Sequence, residues 1–599
     1  MGSSDPVAGI RVPVGEGAER WTSRSGLRRV LLVVHNVTSA GRLLDVLPLF
    51  HDDFRVQLLV TSTGSSPFQA GVTELLADLG LPVLPWEQAL RTEVDLAISA
   101  SFGGQLPLIK GKLAVLSHGV GYTKKLPTAD CRLPTADSRP SGESGESGES
   151  GEEPTFGLSP EWLLADGRPY VDALVLSHPE QRERLRRDCP QALPSAVLAG
   201  DPCFDRMLAA APHRDRFRRA LGVRSGQRLV VLNSTWNPEG LFGDGGGQDV
   251  LPGLLPRMAA ELPADDYRLA AVLHPNIWYG HGPGQIRAWL DRARRGGLAL
   301  IDPVRHWRQA LLAADLVVSD FGAVSYYAAA LGTPVLVAAT SQDRLADGTP
   351  LADFHRTAPA LRPADPLREQ LERAVREHRP RPEAAEFTSS EPLRSASLLR
   401  SSFYALMGLD EPAAPALLEP LPLPPYQPPR RTAVSEVSAR VRVRAGEIRL
   451  ERTSGTSRGP GPDGATVHLA VHEETRDPGE LEAAQVILRE AEADDPRLGG
   501  AARWTSEVLR RHPHCELAVC VTGPHHCTVR TRGGRLLVLA PLPGADAEPA
   551  AYASALYAWL AAGGALPAAG RTLRLRTADG PQPFSVRPAP EAAPANAPV

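Results

Sequence analysis

Short, mostly apolar stretches recur through the first four hundred residues, alternating with polar or glycine-containing turns and helical patterns. The first is Val30–His35 (VLLVVH), followed by Val56–Val60, Leu96–Ser99, Leu113–Ser117, Leu229–Leu232 and Leu316–Ser319. A strand in a one-sided sheet alternates apolar and polar positions. A continuous run like the first belongs to a central parallel strand covered on both faces, and strand–helix–strand alternation builds a doubly wound sheet. The pattern begins twice, once at Arg28 and again after Ala199–Asp205 (AGDPCFD), where Asp201 is placed to N-cap a helix that starts at Pro202. The predicted fold is α/β, with two Rossmann-like domains facing a cleft and an α+β domain after them.

The expected divisions are a loose tail at 1–27, a first Rossmann-like domain at 28–200, a second at 201–410, a proline-rich linker at 411–432, an α+β accessory domain at 433–587 and a loose tail at 588–599. Within the first domain, 126–157 holds LPTAD twice and then SGESGESGESGEE, a low-complexity acidic insert that cannot bury a core. The basic helix QRERLRRD after Asp172 reads as a solvated face. In the last domain the pattern predicts a strand at Ala465–His472, an amphipathic helix around Leu481–Ala491, a meander at Glu516–Leu539, the helix AAYASALYAWLAAG and the strand RTLRLRT.

With 599 residues the chain exceeds what one core can organise. A net charge of -4 gives no general pull toward nucleic acid or an anionic membrane. Six cysteines lie far apart, as expected of a reducing cytoplasm rather than a disulfide framework. The N-terminal segment has no apolar core of a signal peptide, and no run of about 18 apolar residues occurs, so no transmembrane span is expected. Peripheral contact with a membrane surface stays open.

Four polar sets fall where strands end. Ser117–His118–Gly119 with Lys124 and Lys125 puts an imidazole suited to proton abstraction beside two cations. Asn233, Ser234 and Thr235 form a hydroxyl-rich turn that either donates to phosphate or caps a helix. His274–Pro275–Asn276 follows, with Trp278, Tyr279 and His281 nearby. The fourth is the turn Asp320–Gly322 leading into Ala323, Val324 and Ser325, where a helix N-terminus can face an anion. A cluster of histidines and cysteines at His512–Cys527 lacks a C-x-x-C pair and reads as structural thiols and surface histidines, so no metal site is expected.

The order of HG with a downstream lysine, the S-T-W turn, the HP pair and the SD-x-G turn resembles the CDP-glycerol glycerophosphotransferase family of teichoic-acid enzymes. The GDPCFDR, STW, HPN-x-W, HG and WR segments are similar to a subset of its actinobacterial relatives. The resemblance spans roughly Arg28 to Asp410. It implies a GT-B transferase in which His118 is the base on an acceptor hydroxyl. By the same resemblance His274, counted with His118 as catalytic, holds the diphosphate of a nucleotide-linked donor together with Ser325 and the N–H groups around Asp320, Gly322, Ala323 and Val324, and the turn at Ser234 and Thr235 is a further candidate for that contact. The donor is a substrate, and no separate cofactor is implied. The sequence departs from the family in four places: Lys124 stands one residue later than expected, Val272–Leu273 occupy the place of an arginine, Gly322–Ala323 replace a serine pair and Tyr327 replaces an acidic residue. A nucleotide-sugar epimerase and a catalytically idle nucleotide-binding module are the alternatives.

Overall fold

The computed structural model describes residues 9–117, 120–125, 155–245, 249–433, 435–454, 465–490, 500–566, 568–577 and 580–589. The expected base His118, most of the acidic insert and the last ten residues lie outside the described residues.

The first lobe is a seven-stranded sheet. Its strands are β1 (Arg28–Val34), β2 (Val56–Ser62), β3 (Val83–Leu84), β4 (Glu93–Ser99), β5 (Lys110–Val115), β8 (Ala173–Leu176) and β9 (Ala196–Leu198). A small ribbon of β6 (Leu164–Ala165) and β7 (Arg168–Pro169) lies outside it. The order is β3-β2-β1-β4-β5-β8-β9, and every pairing is parallel. In β1, Val30, Leu32 and Val34 enter one core, and Leu31 and Val33 enter another on the opposite face. Burial on both faces explains the unbroken apolar run.

The second lobe repeats the plan with β10 (Arg228–Ser234), β11 (Tyr267–Leu273), β12 (Ala299–Leu300), β13 (Leu316–Ser319) and β14 (Val335–Val337). These are all parallel, in the order β12-β11-β10-β13-β14. In both sheets the strand order reverses beside the first strand. There the connections on either side leave in opposite directions and open a crevice at the carboxyl ends of the strands. The two lobes present these crevices to each other, which is the GT-B arrangement.

Several expectations change. Residues 9–27 are not loose: Ile10 exchanges hydrogen bonds with the Gln88 side chain (2.8 and 2.7 Å), and Ala18 is buried. The helix Ser395–Met407, inside the span 201–410 assigned to the second domain, returns to the first lobe. Its Leu399, Phe403, Tyr404 and Met407 enter the core beneath β1, with Phe403 stacked on Phe50 at 5.8 Å. The basic helix Pro179–Asp188 is not wholly solvated, because buried Arg184 donates to the Tyr122 carbonyl at 2.7 Å. It thereby fixes the backbone two residues before Lys124.

The linker crosses the second lobe with Leu421 in its core and leads to a closed barrel. The barrel strands are β15 (Ser435–Arg442), β16 (Glu447–Thr453), β17 (Thr466–His472), β18 (Val486–Glu490), β19 (Leu517–Val521), β20 (Cys527–Thr531), β21 (Leu536–Pro541), β22 (Arg571–Thr577) and β23 (Gly580–Pro588). The helix Pro549–Ala561 (PAAYASALYAWLA) is apolar on every face because it lies inside, packed against strands all round the barrel. Val437, Ile448, Leu517, Leu537, Leu573 and Phe584 point inward at it. The strand at Ala465–His472, the meander and the RTLRLRT strand are present as expected. The expected amphipathic helix around Leu481–Ala491 is instead a short helix, Pro478–Ala483, followed by β18, whose Val486 and Ile487 face opposite cores. Among the described residues no helix is long and apolar enough to cross a membrane.

Candidate functional site

The facing strand ends enclose a cavity of about 520 Å³. Its first wall comes from the ends of β1 and β4 (His35, Asn36, Ser101) and from the helix Val37–Val46, which contributes Thr38 and Arg42. Its second wall comes from the ends of β10, β11 and β13, through Ser234, Thr235, His274 and Gly322. The lobes are clasped at the rim. Phe68 meets Trp236 edge-on at 5.2 Å between ring centres, and the Lys125 and Ala346 amides donate to the Arg344 and Thr123 carbonyls (3.1 and 2.9 Å). Gly71, at φ +82°, lies so close to the Tyr279 ring that a Cβ there would sit 2.4 Å from it, so a side chain at this position would hold the lobes apart.

Five cationic side chains line the cavity, Arg42, Lys124, Lys125, Arg308 and Arg344, and no carboxylate does among the described residues. Their carboxylate partners lie outside the lining, buried at Asp45, partly exposed at Glu239 and exposed at Asp347. Arg308 pairs with Asp45 at 2.7 Å, Arg344 with Glu239 at 3.1 Å and Lys125 with Asp347 at 3.0 Å. Arg42 donates to the Tyr327 hydroxyl at 3.1 Å, and that hydroxyl donates to Asp201 at 2.5 Å. Asp201 is the expected N-cap, accepting from the Cys203 amide at 2.8 Å. Tyr327, at the position where an acidic residue was expected, therefore joins a network that ties the lobes together.

Asp320 is fully buried and does not line the cavity. Its Oδ2 accepts from the Thr235 and Leu241 amides (2.8 and 2.9 Å) and from Ser234 Oγ (3.1 Å), and its Oδ1 accepts from the Gly322 amide at 3.0 Å. Burial pushes this carboxyl up. The three amides and the Lys124 ammonium oppose the shift. Gly240 packs so near that a Cβ there would meet Asp320 Oδ2 at 2.9 Å. Asp320 thus organises the hydroxyl-rich turn rather than facing a ligand. Ser325 is also buried away from the cavity. It donates to the Gly322 carbonyl at 2.6 Å and lies 3.2 Å from His355 Nε2, a ring whose pKa burial lowers to about 4.

The remaining second-lobe candidates do reach the cavity. Gly322, Ala323 and Val324 open the helix Ala323–Ala330 on its wall. The Gly322 amide is committed to Asp320, whereas Ala323 and Val324 belong to the first turn, whose N–H groups have no acceptor within the helix. His274 caps the helix Pro275–His281 with Nδ1, which accepts from the Asn276 amide at 3.1 Å. A ring nitrogen that accepts cannot carry the hydrogen, so neutral His274 is protonated on Nε2. Lys124 reaches across from the first lobe to Thr235 Oγ1 at 3.5 Å and over the Phe321 ring at 5.9 Å. Burial lowers its pKa, Asp320 raises it and Arg344 lowers it further.

Sequence reading gave no site role to His35, Arg42, Arg308 or Arg344, although Arg308 belongs to the WR segment. His35 Nε2 lies 2.6 Å from the Gly103 carbonyl, and burial lowers its pKa to about 4. A signal for Arg308 exists, since a single arginine in WRQALLAA, buried on every side, needs a partner for its charge.

The chain is GT-B-type in fold, with its clefted pair of parallel sheets and a separate β-rich domain. No family model matches it, and no curated protein matches it. Among solved structures it is similar to the wall teichoic acid polymerase TagF, with 12% identity, 64% of this chain and 89% of that one covered, and a TM-score of 0.41. It is also similar to a UDP-GlcNAc 2-epimerase from Methanocaldococcus jannaschii in complex with UDP-GlcNAc and UDP (12%, 63% and 99%, 0.39). A third is Anabaena HepE in complex with UDP (12%, 64% and 100%, 0.32).

Proposed function

We propose that the chain is a transferase that moves glycerol phosphate or a sugar from a nucleotide-diphosphate donor to an acceptor hydroxyl in the interlobe cavity. The observation that carries this reading is the charge of the cavity: five cations and no carboxylate among its described lining residues. Such a wall favours an anion, and buried Asp45 behind it fixes the Arg308 guanidinium in place. In this reading Lys124, Arg344 and the first-turn amides of Ala323 and Val324 meet the diphosphate, and His274 donates from Nε2 to a phosphoryl oxygen. The acceptor oxygen bonds to phosphorus or to the anomeric carbon, and its proton passes to a base, His118 by the family resemblance. The bond to the departing nucleotide breaks, leaving the electron pair on its phosphate oxygen, where the cations stabilise it. Epimerisation would need acids flanking the sugar, which the described lining does not supply.

Calorimetric titration of the full chain with CDP-, UDP- and GDP-linked donors tests this reading. One of them is expected to bind, and Lys124→Ala is expected to weaken it about tenfold to a hundredfold, the worth of a hydrogen bond to a charged group. Failure of all three to bind would refute a nucleotide site. Binding without turnover, indifferent to His118→Ala, would make the cleft a sensor instead.

A further inference from the structure

A second cavity, of about 630 Å³, lies between the edge of the second sheet, the proline-rich linker and the barrel. It backs onto the first: the helix Pro275–His281 runs from His274 in one to Trp278 in the other, and Pro303 lines both. Five arginines line it (Arg268, Arg287, Arg294, Arg295 and Arg430) against three acids, Asp291, Asp302 and Glu474.

Those acids are already committed. Asp291 holds Arg295 at 3.0 Å and Arg476 at 2.8 Å, so one carboxylate faces two guanidiniums. Glu474 holds Arg430 at 2.7 Å through both oxygens. Asp302 accepts from the Val304 and Arg305 amides, both at 2.8 Å. Three arginines make no direct ion pair among the described residues, although Glu548 lies near enough to Arg268 to favour its charge while Arg431 opposes it. Arg268 is buried in the wall, bonded only to the Leu221, Gly297 and Gln427 carbonyls (3.3, 2.5 and 3.4 Å). Arg287 lies over the Trp278 ring at 5.5 Å, and Arg294 is half-buried on the same wall. A buried guanidinium satisfied by carbonyls keeps its full charge in a poorly solvated place, a costly arrangement unless an anion completes it. Guanidinium forks match phosphate oxygens in pairs.

We infer that this cavity is a second anion site, which takes a phosphate-bearing ligand and joins the second lobe to the barrel. The inference does not rest on the reaction proposed for the interlobe cleft. The rim already carries contacts between the two units, through Arg476 with Asp291 and the Thr432 amide on the Arg295 carbonyl at 2.9 Å. An anion bound there would add a bridge between groups that otherwise repel.

The test is calorimetry of the full-length protein with inorganic pyrophosphate, on the wild type, Arg287→Glu/Arg294→Glu, Lys124→Ala and the combined variant. Arg287 is exposed and Arg294 half-buried, and neither is ion-paired among the described residues, so the double substitution is expected to leave the fold intact. Should it not fold, Arg287→Gln/Arg294→Gln serves in its place. The expected result is two separable binding events, one weakened at least tenfold by the Arg287/Arg294 change and the other by Lys124→Ala. Pyrophosphate binding indifferent to Arg287 and Arg294, or lost entirely with Lys124→Ala, would overturn the inference. A parallel titration with long-chain polyphosphate separates the sources. Tighter binding that falls in the same variant identifies an extended polyanion, and binding no tighter than pyrophosphate identifies a compact phosphate.

Discussion

Asp320→Ala is expected to destabilise the second lobe by on the order of 4 kcal/mol or more and to abolish donor binding. The carboxylate receives three backbone amides and one hydroxyl, all buried, and each donor stranded without an acceptor costs about 1–3 kcal/mol. Asp320→Asn is expected to recover part of the loss, because its amide oxygen can keep the three donors now on Oδ2 while its nitrogen opposes the Gly322 amide. The change reaches the cleft because the turn that Asp320 holds carries Thr235, the residue Lys124 contacts. Equilibrium denaturation together with donor titration checks this. An Asp320→Ala protein of unchanged stability that still bound donor would show that the turn holds itself.

The second large effect is expected at Glu548, where the barrel meets the second lobe. This buried carboxylate receives Arg431 at 2.5 and 2.6 Å and Arg452 at 2.8 Å, and Arg452 also grips Asp265 at 2.6 and 2.8 Å. Glu548→Gln leaves Arg452 on Asp265 and strips Arg431 of its carboxylate, and breaking such a buried set by removing one partner costs about 3–5 kcal/mol. The pH dependence follows the same contact. Burial pushes the Glu548 carboxyl up, but Arg431, Arg452 and Arg224 outweigh it and hold the group well below the usual carboxylate range. A carboxyl whose pKa is depressed on folding adds stability above its unfolded value, near 4.5, and loses it as pH falls toward the folded value. Melting temperature is therefore expected to fall on acidification below about pH 4.5 in the wild type, with that component missing in Glu548→Gln. Identical acid profiles for the two proteins would show that the ion set does not anchor the barrel.

The two Rossmann-like units were legible because a parallel strand buried on both faces leaves an unbroken apolar run, and β1, β10 and β13 each do. The strand ends were legible for the same reason, which is why Ser234, Thr235, His274 and Gly322 were placed on the cavity wall from sequence. What a pattern of residue types does not carry is the direction of a side chain past a turn. Asp320 and Ser325 sit beside that wall and look inward, toward amides of their own lobe. Arg42 lies on a helix where nothing local marks it as turned toward another lobe, and the apolar surroundings of Arg308 say that it needs a partner without saying that the other lobe supplies it. The barrel was half legible. The helix Pro549–Ala561 and the meander announced themselves, but β15 and β16 hide in SARVRVRAGEIRLERT, where charged residues alternate with inward apolar ones. The short β18 follows a helix closely enough for the two to read as one element.

The helix Pro549–Ala561 is enclosed by strands that come both before and after it in the chain, and this sets an order of events during synthesis. β22 and β23 alone bridge β16 to β21. Until that last hairpin has emerged from the ribosome, the wall stands open and an apolar helix has no cover on that side. Closure comes in a single late event, after both lobes have been made, and a nascent chain stalled just short of β22 would present its stickiest surface to whatever is nearby.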